Sequence, residues 1–196
     1  MNHAVARFDD PINQRICRER DMEARFEDAL QNQEFVVWYQ PKFDVRTERM
    51  VGAEALVRWR KQDGMVVSPG EFIPLFERDG LIIRLDEFVF RRVCRIQKKL
   101  LAQFGSVFPI SVNLSRNSLH YPGMIERYAR IVAEEELEAK CVPIELTESA
   151  EQQMIQIKDL AQKMVELGFP LHMDDFGAGY SLSLIHISEP TRPEPI

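Results

Sequence analysis

The 196-residue chain is poor in cysteine, carrying only Cys17, Cys94 and Cys141. Their odd number and wide spacing match neither a disulfide framework nor a zinc site, and reduced cytoplasmic thiols are the simplest reading. No run approaches the roughly 18 uninterrupted apolar residues that a membrane span requires. The first ten residues also lack the charged-then-apolar pattern of a secretory leader, so the chain reads as soluble and unexported. A basic excess is missing as well. Lys and Arg number 25 against 31 Asp and Glu, a net charge of −6. That argues against binding a nucleic-acid polymer, where cations must neutralise phosphates. It leaves room for a small phosphorylated ligand held by one or two arginines and a metal. The rest is ordinary: 45% hydrophobic and 29% charged residues, too apolar for a disordered chain and of a length suited to one domain.

Residues 1–21, with mixed charge around Pro11 and little periodicity, read as a linker. From Met22 onward, Met22, Phe26, Ala29 and Leu30 follow helical spacing, and Asn32 ends that helix. Residues 35–39 are a β-branched and aromatic strand predicted to stop at Pro41. A second strand covers about 50–59, with Gly64 and Pro69-Gly70 marking loops after it. Leu85, Phe88, Val89, Val93, Ile96 and Leu100 share one helical face. Then follow a strand at 108–114, a helix at about 122–138 and a strand at 141–147. A helix at 154–164, capped at Gly168, and a fifth strand at 169–174 complete the pattern. Strands alternating with helices of this length predict parallel β/α units. After Ser181 the periodicity stops.

Several strands carry acids or amides where apolar residues belong. Side chains alternate between faces along a strand, so Glu54, Leu56 and Arg58 share one face. The third strand ends at Asn113 between Ser111 and Ser115. The fourth contains Glu145 and runs through Thr147 to Glu148. The fifth ends in Asp174-Asp175-Phe176-Gly177. Each strand thus delivers an oxygen ligand near its C-terminal end, where α/β folds bind ligands. Two carboxylates at about 4 Å repel by roughly 4 kcal/mol at an effective dielectric of about 20. Several converging on one place call for a cation, and all-oxygen donors select Mg²⁺ or Mn²⁺, with Ca²⁺ a third option, over zinc. A single acid at a strand end is usually a cap or a solvated side chain. The four together favour a metal. Asp174 and Asp175 cannot both point inward from a regular strand, so one of them must reach in from the turn.

These residues resemble the EAL-domain family of cyclic di-GMP phosphodiesterases. Glu54-Ala55-Leu56, within Gly-Ala-Glu-Ala-Leu-Val-Arg-Trp, is similar to its signature. Tyr39-Gln40-Pro41, residues 72–77, 111–115 and 144–148, and Asp174-Asp175-Phe176-Gly177 are similar to further family motifs and stand in family order. The resemblance implies an α/β fold, a modified TIM (β/α)8 barrel whose first strand runs against the others. It implies Glu54, Asn113, Glu145 and Asp174 as metal ligands, with Asp175 near a second metal and catalytic. Arg58 resembles the arginine that holds a substrate phosphate. Gln40 and Leu56 resemble substrate contacts, and Glu148 resembles the glutamate that orders a loop beside the metals. Two Mg²⁺ or Mn²⁺ ions, cyclic di-GMP as ligand, a homodimer, an upstream sensor or cyclase-like domain, and a catalytic domain on the cytoplasmic side are implied with it.

The chain departs from the family after Ser181. The expected later β/α units, bringing a Lys-Ile-Asp strand, a general-base glutamate and a substrate-binding glutamine, are not in the sequence. Residues 182–196, with Pro190, Pro193 and Pro195, look like translated sequencing-adapter DNA and are expected to be a non-native tail. A partial domain over 22–181, with about five of eight strands and without turnover by itself, is the resulting expectation. The intact protein is expected to hydrolyse cyclic di-GMP to linear pGpG. The alternative is a non-catalytic cyclic di-GMP receptor or partner-binding module.

Overall fold

The computed structural model of the chain describes residues 10–147 and 161–174. Helix α1 (Asp10–Gln31) leads into a hairpin of β1 (Phe35–Phe43) and β2 (Met50–Arg60). A short β3 (Val66–Val67), α2 (Pro69–Arg78) and the long α3 (Ile82–Phe104) follow. The rest comprises β4 (Ile110–Leu114), α4 (Arg116–His120), α5 (Met124–Glu134), a 3-10 turn at Ala139–Cys141, β5 (Ile144–Thr147) and β6 (Leu171–Asp174). Residues 161–166 are helical and close at Gly168, whose φ of 84° is one that a side chain would oppose. The expected cap lies there.

The sheet runs in the order β1-β2-β4-β5-β6, with β3 beside the end of β2. Strand β1 is antiparallel to β2, whereas β2, β4, β5 and β6 are mutually parallel. The reversed first strand and the parallel β/α units match the expected architecture. Alternation sends Ala53, Ala55 and Trp59 of β2 into the core beneath the helices. There Phe26 of α1, Phe35 of β1, Trp59, and Phe72 and Phe76 of α2 form one aromatic cluster. Its ring centroids include Phe26–Phe76 at 5.0 Å and Phe35–Trp59 at 5.1 Å. The indole Nε1 of Trp59 donates to Glu34 at 2.9 Å, which satisfies the buried N–H. A second cluster stacks Phe90 of α3 on Tyr128 of α5 at 3.9 Å.

Several expected boundaries are corrected. Helix α1 begins at Asp10, not Met22. Its first half is polar and lies on the surface, held by ion pairs (Arg15–Glu19 at 2.8 Å, Arg78 to Glu19 at 3.1 Å) rather than by an apolar stripe. Strand β1 continues through Pro41 to Phe43, because Pro41 lies on an edge strand where its missing N–H breaks no ladder. Helix α2 was hidden behind its prolines: Pro69 sits at the helix start, where no N–H is needed, and Pro74 is accommodated further in. Among the described residues the sheet has six strands where five were expected, the extra one being the two-residue β3. Helix α4 is also additional, and β4, β5 and β6 begin two to three residues later than expected. Residues 154–160 and 182–196 lie outside the described residues.

Candidate active site

Cross-strand pairing fixes which side chains share the face opposite the helices. Gln40 on β1 pairs with Glu54 on β2, Trp38 with Leu56, and Lys42 with Gly52. Glu54 pairs in turn with Ser111 on β4, Asn113 with Glu145 on β5, and Glu145 with His172 on β6. Directly paired residues project to the same side. One polar face thus carries Gln40, Glu54, Asn113 and Glu145; Asn113 lies near the carboxyl end of β4, whereas Glu54 is mid-strand in β2 and Glu145 is the second residue of β5. Leu56 and Arg58 continue the face along β2.

Within this face, Asn113 Nδ2 donates to Glu54 Oε1 at 2.7 Å. With the amide so assigned, its Oδ1 is the atom available to a cation. Glu145 is only 4% exposed. Burial by itself pushes its carboxyl up, but His172, Lys42 and Ser111 outweigh that and hold it at about 2. Lys42 Nζ donates to Glu145 Oε1 and, at 3.0 Å, to Ser111 Oγ, which itself donates to the Ala53 carbonyl at 3.2 Å. The His172 ring stands 3.7 Å from the same Glu145 oxygen, a distance of ion-pair rather than hydrogen-bond range. Arg58 is half-buried, donates to the Val57 carbonyl at 2.9 Å, and lies 5.2 Å over the ring of Trp38, which is 55% exposed.

Strand β6 ends at Asp174, whose backbone pairs with Thr147. The Asp174 side chain, Glu148 and Asp175 lie outside what is described. Among the described residues, no group of three or more His, Cys, Asp or Glu side chains is close enough to hold a metal. The donor chemistry nonetheless fits a hard divalent ion. Two carboxylates and an amide oxygen share one face, and the most buried carboxylate already carries a cationic side chain. A cavity of about 570 Å³ lined by Ile83, Arg84, Phe88, Arg91 and Arg127 includes none of the strand residues and takes no part in this site.

Sequence reasoning missed Trp38, Lys42 and His172. Counting two residues either way from Gln40 leads to Trp38 and Lys42, and two back from Asp174 leads to His172. Also unforeseen was Asp86 on α3. It accepts from the Ser115 backbone N–H at 3.0 Å and from the Ser118 hydroxyl at 2.7 Å, clamping the turn just after Asn113.

The fold and site define an α/β protein with carboxylates and an amide on one face of parallel strands, beside a reversed first strand. A family model described as the EAL domain matches residues 23–189, and the chain belongs to that family. It is 32% identical over 164 residues to the bifunctional diguanylate cyclase/cyclic di-GMP phosphodiesterase MucR of Pseudomonas aeruginosa, covering 81% of this chain and 23% of that protein. It is 33% identical over 178 residues to the cyclic di-GMP phosphodiesterase PdeR of Escherichia coli, covering 89% and 26%. Among solved structures, the PaMucR phosphodiesterase–c-di-GMP complex is similar with a TM-score of 0.77 and 29% identity, over 83% of this chain and 66% of that one. The chain spans about a quarter or less of the first curated relatives, 25%, 19% and 23% of their lengths. No helix among the described residues is long and apolar enough to cross a membrane.

Proposed function

We propose that this domain is a divalent-metal-dependent phosphodiesterase that opens cyclic di-GMP to linear pGpG. The observation that carries the reading is the joining of Glu54, Asn113 and Glu145 on one face of three neighbouring parallel strands. Relatives named as cyclic di-GMP phosphodiesterases support it. Glu54, Asn113, Glu145, Asp174 and Asp175 would hold two Mg²⁺ or Mn²⁺ ions. Such ions, when bound, supply positive charge to the phosphodiester and make a water acidic enough to attack it near neutral pH. Arg58 offsets charge on the bound phosphate while the Trp38 ring keeps its guanidinium in place. Leu56 packs against a guanine, Gln40 hydrogen-bonds the ligand, and Glu148 orders the loop beside the metals, as the family resemblance assigns them.

The acting protein works in the cytoplasm, where unpaired thiols such as exposed Cys17 persist. A homodimer and an upstream sensor or cyclase-like domain belong to the same reading, the latter supported by the bifunctional relative. Residues 1–196 alone are expected to give no appreciable turnover, because the family's lysine, general-base glutamate and glutamine are not among them. The test is chromatography of cyclic di-GMP incubated with Mg²⁺ or Mn²⁺, using residues 1–196 and a version extended through the later family strands. The extended version is expected to yield pGpG and residues 1–196 none. Tight binding without product by the extended version would favour the receptor reading, and rapid turnover by residues 1–196 would overturn the inactivity.

A further inference from the structure

We propose that Lys42 is a built-in cation of this centre: its ammonium occupies Glu145 Oε1 before a metal arrives and must be displaced when one binds. The inference rests on the metal-dependent reading above and concerns what sets the affinity of that centre.

Three observations carry it. First, Lys42 reaches from β1 to a carboxylate on β5, passing over β2 and β4. Its partner position across the hairpin is Gly52, where a side chain would meet the Pro109 carbonyl oxygen at 2.8 Å, so no side chain stands opposite Lys42 on β2. Second, the ammonium is held by two oxygens, Glu145 Oε1 and Ser111 Oγ at 3.0 Å, and Ser111 is itself tied to the Ala53 carbonyl. A side chain seated in this way replaces part of the water a buried carboxylate has lost. Third, the two partners differ in freedom. The Glu145 side chain is 5% exposed and fixed in the strand, whereas that of Lys42 is 39% exposed and flexible. The lysine can therefore withdraw toward solvent while the carboxylate stays.

A divalent ion approaching Glu145 meets a positive charge already in place. Like charges a few ångströms apart repel, so the lysine must leave or move aside, and its departure is subtracted from the metal's affinity. Lys42 thus keeps the empty centre from accumulating unbalanced negative charge, at the cost of weaker metal binding. His172, 3.7 Å from the same oxygen, still borders Glu145 once the lysine has withdrawn.

The role predicts opposite effects on two measurements. In Lys42→Met the buried carboxylate loses its partner, so the metal-free protein melts at a lower temperature. The same variant binds Mn²⁺ roughly tenfold more tightly, a solvent-discounted share of the charge repulsion removed, so added Mn²⁺ raises its melting temperature more than it does in the wild type. Lys42→Arg keeps the charge and retains wild-type affinity. Ser111→Ala leaves the lysine in place but loosens its seat, giving a two- to fourfold tightening and serving if Lys42→Met does not fold. Free Mn²⁺ is counted by electron paramagnetic resonance on residues 1–196, with melting followed by circular dichroism. Folded Lys42→Met and Ser111→Ala proteins that bind Mn²⁺ no more tightly than wild type overturn the role of Lys42 alone. Folded wild-type protein that binds no Mn²⁺ overturns the metal reading on which the proposal rests.

Discussion

Asp86 shows how one side chain can govern the site without touching it. It is a buried acid on α3 whose carboxylate caps the turn after β4, two residues beyond Asn113. Burial pushes its carboxyl up to about 6, against the opposing hydrogen bonds from Ser115 and Ser118. The folded state therefore holds a proton more tightly than the unfolded chain, where an aspartate titrates near 3.8. Stability is highest below the unfolded value, falls as pH rises from about 4 to about 6, and is level above that. The total loss amounts to at most about 3 kcal/mol. Asp86→Asn, which cannot ionise, is expected to remove this slope from urea midpoints measured across the same range. A slope that survives the substitution would show that another group causes it. Nothing in Arg-Leu-Asp-Glu-Phe marks this acid as buried. The sequence shows a polar position on a helix, and only the packing of α4 on α3 removes it from water.

Among the elements, α3 organises the sheet. Gln97 is fully buried near the end of that helix, and its Nε2 donates at 2.8 Å to both the Phe108 and the Cys141 carbonyls. Those carbonyls lie in the segments that lead into β4 and β5, the strands that carry Asn113 and Glu145. One amide thus ties two site-bearing strands to one helix. Gln97→Met fills a similar volume but offers no donor, and is expected to cost about 1–3 kcal/mol for each carbonyl left unpaired. Chemical denaturation reads that loss, and a variant as stable as wild type would show that water replaces the amide. Periodicity made α3 legible because its apolar face is regular. It failed at α2, where prolines masked a helix, and at the start of α1, where ion pairs do the work that an apolar stripe would do.

At the scale of the molecule, β1 and β6 end the strand path among the described residues. The β1 side exposes apolar side chains, with Tyr39 40%, Phe43 58% and, in the hairpin turn, Val45 92% exposed. An open edge with apolar side chains favours pairing with another chain. Residues 1–196 are expected to self-associate as concentration rises, by sedimentation velocity, and Phe43→Lys with Val45→Lys is expected to shift the equilibrium toward monomer. Wild-type protein that stays monomeric throughout the concentration series would contradict this.

The sequence by itself determined the polar strand residues and their order. Glu54, Asn113 and Glu145 were legible because period-two alternation and short motifs are local, and a strand-end acid needs no distant residue to be noticed. Tertiary structure alone decided which of them meet. The Asn113–Glu54 hydrogen bond joins residues 59 positions apart, the Lys42–Glu145 contact 103, and the Asp86 cap of Ser115 29. Lys42 reaches Glu145 only because the strand order sets β1 and β5 on one sheet and pairing turns their polar sides the same way. No pattern within a single strand encodes that meeting, since it arises from the order and register in which separate strands pair.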